Sequence, residues 1–556
     1  MKDKIKKVLK DTDFIYYFCI VVVACILSIP ILNKNLDIYF DDGIQHVARS
    51  YGTLKSFLNQ GLHANIISEF TNGFGYSWNL FYGPLSTYGI ILFNLICGSF
   101  TSAYKIFNFV CLILSGIFMY KLMISITKNS NTSLLAASIY LTFPYHLTDW
   151  YLRNAIGEFI SFVFIPLVFL GLYNLFNTEE NHYYLSFGAI GIILTHNICT
   201  AITCIFAAIY TIIHFRNLKE TKVKQGLILN FIFIVTITSF FWAPMLETKF
   251  SADYQVYEKD AMSTRETVVE NALSIKELFV TENNKLYVFE LGIHVIIMLC
   301  FSGLTYKSLK EDLKKQYLFC LITGLFCVIM STKIWPWKWM PEAALIIQFP
   351  WRMLAFAGFF LSIVCSMNMS VVLRKFQFKD TIIISIICIL YVAAFKNYIP
   401  QTKSVAPIEE LKLGVMSGRE IEVVAGTAKA EYLPKTAFKN RFYIATRENA
   451  TYVLSGKAII ENEEKDGANY KAKIRTVEER TIFELPYIYY PGYEVTADGI
   501  LIENFETENG FLGIVLEENE NVHLEVSYSG TKIMKITTLI STLGTILFSI
   551  YVWKKH

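Results

Sequence analysis

Residues 37–49 read Asp37-Ile-Tyr-Phe-Asp-Asp-Gly-Ile-Gln-His-Val-Ala-Arg49 and directly follow the first apolar segment of the chain. Two adjacent carboxylates, Asp41 and Asp42, come before His46 and Arg49. If this segment is helical, Asp42, His46 and Arg49 share one face, because residues one and two turns apart lie above one another. A carboxylate beside an imidazole just outside a membrane can accept a proton or hold a cation. The alternative is an amphipathic surface helix with solvated charges.

The composition is that of a membrane protein with several spans. Of the 556 residues, 54% are hydrophobic and 17% are charged, and the mean hydropathy is +0.41. Soluble domains carry about 25% charged residues. The cysteines all lie in apolar segments, so we expect neither disulfides nor a cysteine zinc site. No small-residue cleavage site follows the long first apolar segment, so we expect a retained membrane anchor.

Hydropathy and the placement of basic residues predict a helical polytopic protein with about twelve transmembrane helices. The lysine-rich N-terminus should stay in the cytoplasm, because loops on that side carry an excess of Lys and Arg. The predicted spans are residues 14–33, 104–126, 133–148, 159–176, 183–197, 199–215, 226–246, 286–306, 317–332, 352–373, 381–397 and 534–553. The expected location is the plasma membrane, with Asp41 and Asp42 on its outer face.

Every second connection between these spans is short and basic, which supports this order of crossings. Residues 82–98 are apolar enough to span, but a crossing there would turn every later basic loop outward. We therefore expect residues 82–98 to lie in the outer interface, buried against protein. The transmembrane domain is then residues 1–397, and residues 34–103 form its long first outer loop.

Glycines and aromatic residues are concentrated in that outer loop. Residues 71–84 read Thr71-Asn-Gly-Phe-Gly-Tyr-Ser-Trp-Asn-Leu-Phe-Tyr-Gly-Pro84, which predicts a tight, shaped turn rather than a flexible linker. Aromatic residues at a membrane interface are ordinarily belt residues. Their density beside a carboxylate pair favours a surface, including Tyr76 and Tyr82, that stacks on a sugar or guides a lipid.

Further ionisable residues are predicted at the same outer boundary. Arg153 and Glu158 follow the third span, His196 closes the fifth, and Arg352 opens the tenth. Each has an ordinary explanation: a structural ion pair for the first two, packing for the histidine, and an interfacial anchor for Arg352. Ionisable groups at membrane depth are nevertheless costly and indicate function. Their coincidence at one face of the membrane favours a site.

These groups suit the transfer of a sugar from a polyprenyl phosphate. Arginine binds phosphate through a planar fork, and a lipid-linked phosphate can enter an outward cavity sideways from the bilayer. A carboxylate can deprotonate an acceptor hydroxyl while Arg and His stabilise the leaving phosphate. The predicted catalytic residues are Asp42, Asp41 and His46. The predicted residues binding the lipid phosphate and the sugar are Arg49, Tyr76, Tyr82, Arg153, Glu158, His196 and Arg352.

Several short motifs resemble a family of bacterial polytopic proteins that is similar to the GT-C superfamily of membrane glycosyltransferases. They are Asp42-x-x-x-His46-x-x-Arg49, Asn72-Gly-Phe-Gly-Tyr with Phe81-Tyr-Gly-Pro84, Arg153-Asn-Ala-x-x-Glu158, Thr195-His-Asn197 and Gln348-Phe-Pro-Trp-Arg352. Glu484-Leu-Pro-Tyr-Ile-Tyr-Tyr-Pro-Gly492 is similar to the outer domain of the YfhO-like branch. Some such sequences are described as 6-pyruvoyl-tetrahydropterin synthase-related, although the chain has no His-rich zinc signature that would support pterin chemistry.

The resemblance implies an inverting glycosyltransferase, which displaces the leaving group directly at the anomeric carbon. The acidic residue of the superfamily's outer loop corresponds to Asp42, and Asp41 could share its role. Some members use a divalent cation and others do not. Mg or Mn could be bound by Asp41, Asp42, His46 and Glu158, although hard cations usually have more oxygen ligands. The sequence therefore establishes no cofactor and leaves a divalent cation, Mg or Mn, as an open alternative.

The polar segment of residues 398–533 is predicted to form an extracytoplasmic β-sandwich-like domain. Alternating residues flank Asp498-Gly499, a dipeptide typical of tight hairpins. A second alternating run covers residues 522–528. This domain could bind an acceptor polymer or cover the cavity. The final helix and cytoplasmic tail are residues 534–556.

Two functional classes remain from the sequence. The first is a glycosyltransferase that uses a polyprenyl-phosphate-linked sugar and an envelope glycan or teichoic-acid-type acceptor, among membrane lipids. The second is a transporter or flippase of a lipid-linked envelope precursor, whose charged residues should lie near the bilayer midplane. The candidates cluster at one boundary, which favours the enzyme; a structural scaffold is a weaker third reading. Nothing indicates nucleic-acid or nucleotide binding, because the sequence has no basic patch outside the cytoplasmic loop ends and no phosphate-binding Gly-Lys-Ser/Thr loop.

Overall fold

The computed structural model describes residues 12–32, 42–61, 64–178, 181–258, 263–282, 287–394, 430–478, 480–517 and 522–555. Within these residues the chain is mostly helical, with a β-sheet region towards its C-terminus. The α-helices are Thr12–Leu32, Gly43–Gln60, Trp78–Phe81, Leu85–Cys97, Phe100–Thr127, Ser130–Leu141, Pro144–Thr148, Ile156–Asn177, Tyr184–Ile193, Asn197–Ile213, Thr221–Ser251, Arg265–Glu270, Ile293–Leu299, Ser302–Ser308, Glu311–Met330, Met353–Val372, Phe378–Ala394, Lys435–Lys439, Arg441–Thr446 and Lys532–Lys555.

Seven helices in the described part of the chain are long and apolar enough to cross a membrane. They are Phe14–Leu32, Phe100–Thr127, Ile156–Asn177, Thr221–Ser251, Glu311–Met330, Pro350–Val372 and Lys532–Lys555. Three shorter apolar helices, Leu85–Cys97, Tyr184–Ile193 and Asn197–Ile213, accompany them. The predicted helical membrane protein is therefore confirmed, whereas the count of twelve spans stays a prediction.

Two of the predicted spans are interrupted. The segment predicted at 133–148 ends its first helix at Leu141, restarts at Pro144 and continues as the π-helix Asp149–Arg153. The segment predicted at 286–306 forms the two short helices Ile293–Leu299 and Ser302–Ser308. Hydropathy reports the apolar length of a segment but not such breaks. In the first of these segments a proline and a π-turn disrupt the helical hydrogen-bond ladder.

The helices Ile156–Asn177 and Pro350–Val372 lie at the centre of the helical region, since most of their residues are buried by neighbouring helices. The first packs closely against Tyr184–Ile193. A Cβ atom at Gly171 would lie 2.0 Å from the backbone nitrogen of Leu185, and one at Gly188 would lie 2.4 Å from that of Val168. Glycine therefore permits a backbone-to-backbone approach that no larger residue would allow.

The β region consists of two antiparallel sheets. Its strands are β1 (Tyr452–Ser455), β2 (Ala458–Asp466), β3 (Asn469–Thr476), β4 (Arg480–Ile488), β5 (Tyr493–Ala497), β6 (Ile500–Ile502), β7 (Asn504–Glu506), β8 (Phe511–Glu517) and β9 (Val522–Tyr528). The sheet orders are β1-β4-β8-β7 and β2-β3-β9-β5-β6. The hairpin predicted at Asp498-Gly499 joins β5 to β6, and both turn residues have positive φ, at 50° and 79°.

The first outer loop and the β region share one hydrophobic core. Ile66, Phe70 and Phe74 of the loop are fully buried in the same cluster as residues of β3, β4, β8 and β9. The backbone N–H of Ile488 donates to the carbonyl of Phe74 at 2.9 Å. The loop turns tightly, as predicted, with positive φ at Thr71 and at three of the residues that follow it. The loop is therefore part of the β region's packing.

Candidate functional site

A buried carboxylate joins three elements at the centre of the predicted site. Glu158 lies in the first turn of Ile156–Asn177 and is 1% exposed. One of its oxygens accepts a hydrogen bond from the Tyr145 hydroxyl at 2.8 Å. The other accepts from Arg352 Nε at 2.8 Å and from Arg153 Nη1 at 3.1 Å. Two guanidinium groups and a phenol therefore converge on one carboxylate.

A second carboxylate, Asp149, neutralises this cluster. Its Oδ1 lies 2.6 Å from Arg153 Nη1, within the π-helix Asp149–Arg153. Its Oδ2 is buried and has no hydrogen-bond partner. Two arginines and two carboxylates have no net charge, which is the condition under which charges tolerate burial. π-Turns are frequent at functional sites, and this one brings Asp149 and Arg153 to the same point.

A column of rings leads away from the ion cluster. The His196 ring lies 6.2 Å from that of Tyr82, which lies 5.7 Å from the His46 ring, measured between centroids. His196 caps the helix Asn197–Ile213, since its Nδ1 accepts the backbone N–H of Cys199 at 3.2 Å. Gly157 lies directly against Tyr82, because a Cβ atom there would lie 2.1 Å from the tyrosine hydroxyl. The middle ring of the column, Tyr82, therefore lies against the residue that precedes Glu158.

Arg49 stacks on an aromatic platform beside this column. Its guanidinium carbon lies 3.2 Å from the ring centroid of Trp78, which stacks in turn on Tyr82 at 4.3 Å. Arg49 also donates to Gln45 at 2.9 Å and lies 3.8 Å from the carboxylate of Glu431. A cation held over a tryptophan face keeps its charge in a largely buried position. This platform positions Arg49 on the outer-loop side of the column.

Asp42 lies at the exposed end of the same assembly. It immediately precedes the helix Gly43–Gln60, whose presence confirms the predicted helical spacing of Asp42, His46 and Arg49. The Asp42 backbone N–H donates to the carbonyl oxygen of Arg153 at 3.2 Å. The outer-loop acid and the buried ion cluster are therefore tied by a direct bond. Asp41 lies outside the described residues.

Burial sets the protonation state of the two outer-loop rings. It lowers the pKa of His46 well below its usual value, and the positive charge of Arg49 lowers that pKa further. Burial also raises the pKa of the Tyr82 hydroxyl, and the charge of Asp42 raises it again. Near neutral pH both rings are therefore neutral, which leaves the permanent positive charge of the site on its arginines.

The described residues contain no group of three or more His, Cys, Asp or Glu side chains placed to hold a metal ion. Asp42, His46 and Glu158 therefore do not converge as a ligand set, and the fourth suggested ligand, Asp41, is not described. The carboxylate of Glu158 is bound by Arg153 and Arg352 instead.

Most of the predicted residues come together, but Tyr76 lies in the hydrophobic core shared with the β region. It is fully buried, and its hydroxyl accepts the backbone N–H of Tyr432 at 3.1 Å. Trp78, Tyr145 and Glu431 contribute to the assembly without having been predicted. Asp149, which the sequence places at the same boundary as Arg153 and Glu158, also has a local signal, since an Asp four residues before an Arg predicts a helical ion pair.

The comparison with protein families matches the helical region of the chain. A family model described as a 6-pyruvoyl-tetrahydropterin synthase related domain of membrane proteins matches residues 80–399. An uncharacterized protein of Lactococcus lactis subsp. cremoris (strain MG1363) is 28% identical over 353 residues, or 59% of this chain. The chain spans only 55% of the length of that relative. The matched residues include the ion cluster and Tyr82, whereas Asp42, His46 and Arg49 precede them.

Proposed function

The chain belongs to the family of membrane proteins related to 6-pyruvoyl-tetrahydropterin synthase, and from that premise we propose that it is a glycosyltransferase of the GT-C type. Its donor is a sugar linked to a polyprenyl phosphate, and its acceptor is a hydroxyl of a cell-envelope polymer. The reaction takes place on the extracytoplasmic side of the plasma membrane, where a lipid donor and a polymer acceptor can meet.

In the proposed reaction Asp42 is the general base. Its carboxylate removes the proton of the acceptor hydroxyl, and the oxygen attacks the anomeric carbon of the donor sugar. The bond from that carbon to the phosphate oxygen breaks, and the electron pair leaves with the phosphate. Direct displacement inverts the anomeric configuration. Arg49 supports the developing negative charge of the phosphate, and the neutral Tyr82 and His46 can donate hydrogen bonds to it.

The observation that carries this proposal is the bond between Asp42 N–H and the carbonyl of Arg153. It joins the exposed acid of the first outer loop to the buried cluster of Arg153, Glu158 and Arg352, which come from widely separated parts of the sequence. In this arrangement Glu158 holds Arg153 and Arg352 in fixed positions rather than acting as the base itself. The cluster gives the site a rigid frame, and the charge that stabilises the leaving phosphate comes from Arg49.

One observation favours the second candidate, a flippase for a lipid-linked precursor. The helix preceding the ion cluster is broken at Pro144 and again by the π-helix Asp149–Arg153. Broken helices beside charged residues are typical of transporter binding sites. A flippase would move the intact lipid without consuming it, so the fate of the donor distinguishes the two functions.

The test is transfer from a purified polyprenyl-phosphate sugar by the full-length protein in liposomes. We expect Asp42→Asn to abolish release of polyprenyl phosphate while leaving the unfolding midpoint unchanged. Asp498→Asn is the matched control, because Asn also tolerates the positive φ of that hairpin turn. Normal transfer by Asp42→Asn would refute the assignment of the base. Donor movement across the bilayer without release of polyprenyl phosphate would favour the flippase.

A further inference from the structure

A separate cavity of about 720 Å³ lies between the first outer loop and the β region. One wall is the end of the helix Gly43–Gln60, with Lys55 and Asn59, and the loop residues Glu69 and Gly73. The opposite wall is formed by Asn449 and the end of strand β2, residues 465–467. Its volume lies within the range of small-molecule sites. No function proposed above uses it.

Contacts between the two regions brace this cavity on both sides. Lys465 Nζ donates to the carbonyls of Gly73 and Pro486, each at 2.6 Å, and to Asn449 Oδ1 at 2.8 Å. Asn59 Nδ2 donates to the backbone carbonyl of Asp466 at 3.2 Å. Because each wall is bonded to the other, the cavity is part of the packed structure rather than a gap between independent units.

The charges of the lining disfavour an anionic ligand. Lys55 is paired with Glu69 at 2.9 Å. Lys465 is matched by three acceptors, which take all three N–H groups of an ammonium. Burial, together with the positive charge of Arg447, lowers the pKa of Lys465 to about 7. With Glu69 and Asp466 the lining carries no excess positive charge, and both of its lysines are already bound.

The groups that remain are suited to hydroxyl donors. A carboxylate is only an acceptor, and its two oxygens offer more lone pairs than one bond uses. The Asp466 carboxylate has a single contact within this lining, a 3.4 Å approach of Asn59 Nδ2 to its Oδ1. Leu58, which is 86% exposed, adds an apolar surface at the rim. A ring with several hydroxyls and a C–H face matches this combination.

The cavity also lies on the same helix as the candidate site. His46 is near the start of Gly43–Gln60 and Asn59 is at its end. At 1.5 Å per residue the two are ~20 Å apart along the helix axis. A polymer whose reacting end lies beside Asp42 could place one of its inner units in the cavity. The loop residues between Gly73 and Tyr82 connect the two places a second time.

We propose that this cavity binds a neutral sugar unit of the acceptor polymer, away from the unit that reacts. This inference rests on the proposed function for the identity of the acceptor, but the binding it describes needs no donor and no catalysis. The site lies between Asn59 and Asp466, and the carboxylate of Asp466 accepts hydrogen bonds from the hydroxyls of the sugar.

The test uses the full-length protein in detergent micelles and saturation-transfer NMR. The probes are maltohexaose, laminarihexaose and chitohexaose as neutral chains, and poly(glycerol phosphate) as an anionic chain. We expect at least one neutral chain to bind, and Asp466→Ala to weaken it about tenfold, the effect of one charge-assisted hydrogen bond. Glu464→Ala is the matched control, because Glu464 lies on the same strand but lines a different, shallow pocket.

Each outcome bears on the proposal. Binding of poly(glycerol phosphate) alone would overturn the neutral ligand, and binding of no chain would overturn the site. Equal loss in Asp466→Ala and Glu464→Ala would also overturn it, since the effect would not belong to this cavity. Sugar transfer by a protein that binds no neutral chain would leave the proposed function intact and reject only this inference. Neutral-chain binding without sugar transfer would support this binding site and reject the proposed function.

Discussion

Replacing Glu158 by Gln tests whether the ion cluster behaves as a buried, charge-balanced unit. In the native protein Arg153 and Arg352 face Glu158 and Asp149, and all four side chains are at most 5% exposed. The substitution keeps the shape of the side chain but leaves two buried positive charges against one negative charge. The amide nitrogen would face either the Tyr145 hydroxyl or the two guanidinium groups, all of which donate to Glu158 in the native protein, so at least one donor would lose its acceptor.

The expected cost follows from that uncompensated charge. Breaking a buried pair by removing one partner costs about 3–5 kcal/mol of the free energy of unfolding. Glu290→Gln is the matched control. Glu290 is 4% exposed, and it accepts from the neutral donors Thr281 N–H at 2.6 Å and Tyr391 hydroxyl at 3.0 Å. Loss of one such neutral contact costs only about 1 kcal/mol.

The assay is equilibrium unfolding of the full-length protein by SDS in mixed micelles, followed by circular dichroism. A double variant, Glu158→Gln with Arg352→Gln, restores the balance of one positive and one negative charge. We expect it to be more stable than the sum of the single variants predicts, by about 1–3 kcal/mol. The reasoning is refuted if Glu158→Gln is no more destabilising than Glu290→Gln, or if the double variant shows no coupling.

Three further outcomes are expected. Gly157→Ala should destabilise the protein by about 1–3 kcal/mol and reduce sugar transfer, because the new methyl group displaces Tyr82. Its control is Gly303→Ala, which should be neutral or stabilising in the same unfolding assay because Gly303 has open space around it. Lys465→Met should increase proteolysis at the boundary between the outer loop and the β region. The partly buried carbonyls of Gly73 and Pro486 would lose their donor, at about 1 kcal/mol each, and the Asn449 side chain would lose its contact. Unchanged cleavage would contradict the bracing role. Because the pKa of His46 is lowered on folding, the unfolded chain binds one more proton than the folded chain below about pH 6.5. The free energy of unfolding should therefore fall below that pH, by up to about 1.4 kcal/mol per pH unit. His46→Gln should remove this part of the pH dependence in unfolding titrations.

Local patterns in the sequence were sufficient for much of the fold. The apolar lengths predicted a helical membrane protein, and seven helices of the described residues are long enough to cross a bilayer, whose hydrocarbon is about 30 Å thick. The spacing of Asp42, His46 and Arg49 predicted their helix, and Asp498-Gly499 predicted its hairpin. Each of these signals acts between residues close in sequence, where helix and turn geometry relate position directly to structure.

The sequence by itself also determined which chemical groups were available: several carboxylates, two imidazoles, three arginines and an aromatic loop. Only the tertiary structure decided how they are paired. Glu158 binds Arg352 across 194 residues of sequence, and the outer loop shares its core with strands near the C-terminus. A charge is paired by whichever partner the packing brings within a few ångströms, and burial makes that pairing obligatory. No periodic pattern in the sequence predicts contacts between residues so far apart.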